Sequence, residues 1–251
     1  AIVADLATDD ETIVRVAMWR STLQAHHADD PKGALELLDV AADRVSSPDR
    51  AFELRSEAAF LAGILGRFDV AVDTNRRILA TAELSDAARW TAMMNLLFGQ
   101  VMMADLTAID EPVNAMAGLL EEIGPTRPEG VDLYWALVTS VHTLRGELAR
   151  CETELVPYVQ RCLADEQMHG VTASILLYPL LFRGSPDAMT IATAACGATS
   201  QTDAYLVGPI AQAGLTIAYA CAGELDQSRH ALAAVDRSHT GDLRLDGFIG
   251  R

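Results

Sequence analysis

The sequence predicts an all-α fold, a right-handed superhelical solenoid of about six helix hairpins. Three observations carry this. Half of the 251 residues are apolar and only 6% are aromatic, while alanine and leucine are abundant. β-Branched runs of period two are scarce, so the composition favours helix over strand. A helical apolar run that stops at a small corner residue, followed at once by a second such run, recurs at a nearly fixed period along the chain. A period near 40 residues is the mark of stacked helix pairs.

The corner is clearest within Leu65–Leu79. An apolar run from Ala58 to Leu65 stops at Gly66, Phe68 and Ala71 follow at plus two and plus five, and a second run begins. Glycine turns the chain, phenylalanine plugs the hairpin, and alanine lets two helices cross closely. Six triplets share this spacing: Asp29/Pro31/Ala34, Gly66/Phe68/Ala71, Ala104/Leu106/Ile109, Gly146/Leu148/Cys151, Gly184/Pro186/Met189 and Gly223/Leu225/Ser228. Successive corners stand 37, 38, 42, 38 and 39 residues apart. Gly66, Gly146 and Gly223 stand out on their own, and spacing and helix pattern place the other three.

The helices follow in order. The first is expected from about Asp9 to Ala25. Asp30 caps the second and Pro31 opens it, to about Val45. Ser47-Pro48 opens the third, reaching Leu65, and the fourth covers Asp69 to Ala82. Ser85 caps the fifth, which extends to about Met103. The sixth starts near Asp110 and ends before Gly124, where Gly124–Gly130 makes the longest loop and accounts for the 42-residue spacing. The seventh runs from Val131 to Arg145. The eighth covers Leu148 to Ala164, with a kink expected at Pro157. The ninth covers Asp165 to Phe182, with Pro179 bending its last turn. Ser185-Pro186 opens the tenth, which ends near Gly197. The eleventh covers Thr202 to Ala222 with a break at Gly208-Pro209, and the twelfth covers Leu225 to Val235. Residues 236–251 read as a linker entering another repeat. No domain boundary is visible, so residues 1–251 read as one domain, and the chain, which opens on Ala1, reads as a fragment of a longer polypeptide.

A net charge of −16 repels phosphate backbones and anionic membrane surfaces, so direct nucleic-acid binding and membrane docking are not expected. Ala204–Gly223 is twenty residues without a charge, about the length of a membrane span, but its glycines, proline and glutamine favour a buried helix. The cysteines at 151, 162, 196 and 221 form no Cys-x-x-Cys pair, as expected of reduced thiols in a cytoplasmic protein.

The spacing around the corners resembles the tetratricopeptide repeat, in which Trp, Leu, Gly and Tyr precede the corner and Ala follows it. Trp135, Val138, Thr139 and His142 occupy those first-helix positions in the fourth repeat, Ala59, Ala62, Gly66, Phe68 and Ala71 match in the second, and Tyr219 takes the tyrosine position in the sixth. The run Ala218–Asp236, followed by Leu243–Asp246, resembles the helical-repeat region of large LuxR-type transcriptional regulators, and of the maltose-regulator group among them. The resemblance implies a sensing and self-associating segment that lies between a nucleotide-binding module and a helix-turn-helix module. Neither module is visible here: no G-x-x-x-x-G-K-[ST] occurs, and no basic recognition helix.

Projecting the tetratricopeptide register gives one informative stripe. Its concave positions hold Leu23, Phe60, Phe98, Ser140, Tyr178 and Ile217, with Trp19, Met94, Val101 and Leu181 beside them and His26 at the rim. Trp19, Phe60, Met94, Phe98 and Tyr178 are the candidate contacts of a groove for an apolar effector or a partner helix. Tight curvature would instead bury the same stripe as core. Other groupings read as structural. His26-His27 point to different faces of a helix, so no metal site is expected. Asp9-Asp10-Glu11 suits a helix N-terminus, and Glu121-Glu122 a solvated face. His142, His169, His230, Cys151 and Cys162 lack an elbow that would present a nucleophile, and His142 reads as a packed histidine.

The expected function is therefore a non-enzymatic, cofactor-free regulatory and protein-interaction domain of a LuxR-type regulator. Its expected partners are the regulator's own nucleotide-binding and DNA-binding modules, a small-molecule effector and further copies of itself. A free-standing tetratricopeptide adaptor is the alternative, with an all-helical enzyme behind it.

Overall fold

The computed structural model describes residues 9–26, 30–81, 83–124, 128–164, 170–201 and 207–238. Among them the regular structure is helical, with no strand. The chain divides into two compact units, Ala1–Thr126 and Arg127–Arg251.

The first unit holds α1 (Asp10–His26), α2 (Pro31–Arg44), α3 (Pro48–Ile64), α4 (Phe68–Leu79), α5 (Asp86–Met102) and α6 (Asp110–Ile123). Asp30, Ser47 and Ser85 cap α2, α3 and α5 by accepting from the backbone N–H of Gly33, Arg50 and Ala88. Each cap satisfies one donor that a helix start leaves free. Consecutive helices pack together, and α3 also touches α1 and α5. Ile13, Val14, Ala17, Ala34, Leu38, Leu54 and Leu61 form one core cluster, while Trp90, Met94 and Leu97 are buried on α5. Small residues set how close the helices come. A Cβ on Gly63 of α3 would meet the Ala71 Cβ at 3.5 Å, and one on Gly99 of α5 would meet Val72 Cγ2 at 2.8 Å. Helix α4 is thus held between two glycines of its neighbours.

The second unit holds α7 (Pro128–Leu144), α8, α9 (Val171–Arg183), α10 (Ala188–Gln201), α11 (Gly208–Cys221) and α12 (Leu225–Ser238). Helix α8 runs as Leu148–Arg150, a π-helical stretch Cys151–Leu155, and Val156–Ala164. Its wide turn lies directly before Pro157, where the ring would collide with the Thr153 carbonyl of a regular helix. The distortion expected at Pro157 therefore takes the form of a π-bulge one turn earlier. It lets Cys151, Leu155, Val156 and Val159 all reach the core. Helix α9 starts at Val171, after a left-handed Gly170, later than the sequence suggests. Helix α11 starts at the Gly208-Pro209 break, and residues 165–169, 202–206 and 239–251 lie outside the described residues.

Five of the six corners share one backbone geometry. Gly66, Ala104, Gly146, Gly184 and Gly223 all have positive φ, between 52 and 83°. At each, the corner N–H bonds to the carbonyl three residues back, and the next N–H bonds to the carbonyl five back. Gly66 and Arg67 donate to Gly63 and Ala62, Gly146 and Glu147 to Thr143 and His142, and Gly223 and Glu224 to Ala220 and Tyr219. The pairs at Ala104 and Gly184 repeat the pattern. This is the Schellman termination, which satisfies the last carbonyls of a helix through a left-handed residue. The plus-five residues Ala34, Ala71, Ile109 and Cys151 are fully buried. The corner at Asp29 lies outside the described residues.

Candidate interaction surface

The stripe residues do not share one environment. Trp19 and Leu23 stand on α1 with 70% and 50% of their surface exposed. Met94 is buried, so it serves packing and not contact. Phe60 and Phe98 are half-buried and lie against each other, ring centroids 4.9 Å apart, with Phe68 6.3 Å from Phe98 in edge geometry. Aromatic pairs in such tilted arrangements are favourable. In the second unit the Tyr178 hydroxyl donates to the Ile210 carbonyl at 3.0 Å, and burial pushes its pKa up to about 12. It therefore stays a donor across the physiological range. Ser140 and Leu181 are half-buried and Ile217 is exposed. Phe60, Phe98 and Tyr178 are thus committed to contacts inside their own units, whereas Trp19, Leu23 and Ile217 face water.

Sequence reasoning missed a set of carboxylates that tie one first helix to the next at three steps, α1 to α3, α3 to α5 and α7 to α9. Asp10 accepts from the N–H groups of Ser46 (3.0 Å) and Ser47 (2.7 Å) at the start of α3. Asp49 accepts from Ser85 N–H at the start of α5 (2.9 Å). In the second unit Asp132 on α7 accepts from Val171 N–H (2.8 Å) and Thr172 N–H (3.3 Å), and the Thr172 hydroxyl donates to the Asp132 carbonyl at 2.6 Å. Each clamp satisfies backbone donors that the next helix start leaves free, from a residue 36 to 40 positions earlier. The 39-residue spacing of Asp10 and Asp49 was a usable signal. The neighbours of Asp10 also have tasks: Asp9 caps Thr12, and Glu11 pairs with Arg50, which also holds the buried Glu53.

A second missed feature is a buried polar chain across α3, α4 and α5. The Ser56 hydroxyl donates to Asn75 Oδ1 (2.6 Å), Asn75 Nδ2 donates to the Ala71 carbonyl (2.8 Å), and Asn95 Nδ2 donates to the Ser56 hydroxyl (2.9 Å). These groups replace part of an apolar interface with a fixed pairing.

His142 sits at the fourth corner, 6% exposed. Its Nδ1 lies 2.8 Å from Glu147 and its Nε2 3.6 Å from Glu154, while Arg150 bonds both carboxylates. It is a packed histidine, as expected. The hydrogen bond from His142, together with Arg150, holds the Glu147 carboxyl below its ordinary range. Trp135 lies between Tyr134 and Tyr158, with ring centroids 5.0 and 5.5 Å away. Burial raises the Cys151 thiol, and raises Cys196 to about 11, so neither is a ready thiolate. Among the described residues no group of three or more His, Cys, Asp and Glu side chains could hold a metal ion. No described helix is long and apolar enough to cross a membrane. His27 and His169 lie outside the described residues, as does the side chain of His26.

Compared with known protein families, curated proteins and solved structures, the chain matches none.

Proposed function

We propose that this chain is a regulatory and protein-interaction domain, built as about six tetratricopeptide-like hairpins in a right-handed superhelix, from a LuxR-type transcriptional regulator. The observation that supports it most is the recurrence of one corner geometry at Gly66, Ala104, Gly146, Gly184 and Gly223. A protein made of one hairpin used again and again offers extended surfaces more readily than a single catalytic cleft. The exposed Trp19 and Leu23 add apolar contact surface on a chain of strongly negative charge. In this reading an effector or partner binds the hairpins more tightly in one arrangement than in another, and so biases the DNA-binding module in a cytoplasmic protein. Enzymatic activity has no part in it.

The test is the complete reading frame, followed by a reporter assay. A nucleotide-binding module upstream and a helix-turn-helix module downstream support the regulator. In that setting Trp19→Glu should alter induction without unfolding the protein. A stop codon directly after the codon for Arg251 contradicts it and leaves a tetratricopeptide adaptor.

A further inference from the structure

A groove of about 310 Å³ runs between α3 and α4 in the first unit, lined by Phe52 and Arg55 of α3 and by Thr74, Arg77 and Ile78 of α4. All of these residues stand inside described helices. The chain reverses at Gly66, so the beginning of α3 comes level with the end of α4, and the two arginines stand on opposite walls. The apolar part of the lining is the buried Ile78 and the half-buried Phe52. The charged part is wholly cationic, with no carboxylate in it. On a chain of net charge −16 that is a local reversal of sign. The two guanidiniums are also less engaged than that of Arg50, which bonds both Glu11 and the buried Glu53. Arg55 lies 3.6 Å from the exposed Asp43, beyond hydrogen-bond reach, and such a pair in water is worth little. Among the described residues Arg77 has no ion-pair partner, and the Thr74 hydroxyl has no hydrogen-bond partner.

We propose that this groove binds a small organic monocarboxylate with an apolar body. The carboxylate sits between Arg55 and Arg77, and the body packs on Phe52 and Ile78. A guanidinium presents a planar fork of donors that matches a carboxylate, and two forks on facing walls can take both of its oxygens. The Thr74 hydroxyl supplies one further donor. Three observations fix the class of ligand. The volume is at the low end of small-molecule sites, which favours a compact ligand over a partner helix. The lining offers apolar contact beside the charges, which favours an organic acid over a bare inorganic anion. The strongly negative chain repels polyanions, so nucleic acids and acidic peptides gain less from the two arginines than a single carboxylate does. Binding displaces Asp43 from Arg55 at little loss, because that pair is exposed and long. A ligand held this way joins both helices of one hairpin, and so can favour one arrangement of the pair over another.

As the effector class of a regulatory domain the proposal rests on the function proposed above, but the two fail separately, since the reading frame decides that function and a binding titration decides this site. The probe is sodium 3-phenylpropionate, and the neutral 3-phenylpropionamide serves as its matched comparison. Titrated into the full chain at low ionic strength, the acid should shift the side-chain N–H signals of Arg55 and Arg77 in nitrogen-edited NMR, saturably and with Kd of about 1 mM or below. The amide should bind about tenfold more weakly or worse. Arg77→Gln and Arg55→Gln should each weaken binding of the acid by about tenfold. Arg67→Gln removes the same charge at the opposite end of α4 and should leave binding unchanged. All three arginines are exposed, and matching thermal melts by circular dichroism show that the variants fold. The proposal is overturned by no saturable shift up to about 10 mM, by equal binding of acid and amide, or by binding indifferent to Arg77→Gln.

Discussion

The two units solve one problem with different chemistry. Each must fix the angle and register of a hairpin against the next, and each uses a carboxylate on one first helix to hold the start of the following one. In the first unit the clamps at Asp10 and Asp49 work near the surface, on Ser46, Ser47 and Ser85. Deeper inside, Ser56, Asn75 and Asn95 add a second set of bonds. In the second unit the clamp itself is internal: Asp132 is 4% exposed, and all three of its bonds with Val171 and Thr172 are buried. A hydrogen bond near water can be exchanged for one to water at little loss, whereas a buried one leaves stranded donors when its acceptor goes. The same recurring device should therefore carry very different weight in the two units.

Asp132→Ala should have the largest effect. It strands the Val171 and Thr172 N–H groups in the interior, and a loss of about 3 kcal/mol is expected from urea unfolding. Asp49→Ala, whose partner can turn to water, should lose about 1 kcal/mol. Equal losses at the two positions would remove the distinction between the units. Ser56→Ala comes next. It takes the donor from Asn75 and one acceptor from Asn95, with an expected loss of about 2 kcal/mol in the same measurement.

Close approach offers a third comparison. Gly99→Ala in the first unit drives a methyl to 2.8 Å from Val72, and Gly214→Ala in the second drives one to 2.1 Å from Leu177 Cδ2. Both should destabilise by about 1–3 kcal/mol, and full stability in either variant would show that its helix pair can part without loss. The corners give a smaller effect of opposite sign. Ala104 holds φ of 52° without being glycine, so Ala104→Gly should stabilise by up to about 1 kcal/mol, while Gly66→Ala should destabilise by a similar amount. Thermal melts that move the same way for both would contradict the shared corner geometry.

The smallest effect concerns pH. Because Glu147 is held below its ordinary value of 4.5, its contribution is present above that value and is lost as pH falls through the lower folded value. Glu147→Gln should flatten the acid limb of the stability curve. An unchanged limb would mean that the His142 corner does not tighten with ionisation of Glu147.

The hairpin corners were legible because a left-handed turn demands a particular residue type, and Gly66, Gly146 and Gly223 advertise it. Gly184 and Ala104 were placed by spacing and helix pattern, and alanine adopts that turn only under strain. The N-caps at Asp30, Ser47 and Ser85 were legible for a similar reason: few side chains fit the position. The clamps and the Ser56–Asn75–Asn95 chain were not. Each joins residues on different helices, and an aspartate or asparagine at a helix start has several local uses that look the same in sequence. The stripe was legible as a pattern but not as an environment. Its register placed Phe60, Phe98 and Tyr178 together with Trp19, yet burial depends on what packs over each hairpin, and that separates the half-buried pair Phe60–Phe98 from the exposed Trp19. The π-bulge before Pro157 needed the proline and its packing together, because proline alone specifies a distortion without its form.

Native-state hydrogen exchange at the Val171 and Thr172 amides, compared between the parent protein and Asp132→Ala, tests the central claim most directly. If a carboxylate one repeat earlier holds the starts of α3, α5 and α9, both amides lose protection by about 100-fold in the variant, and Ser85 N–H loses much less in Asp49→Ala. Unchanged protection at Val171 and Thr172 would contradict it, for the start of α9 would then be held without the Asp132 carboxylate.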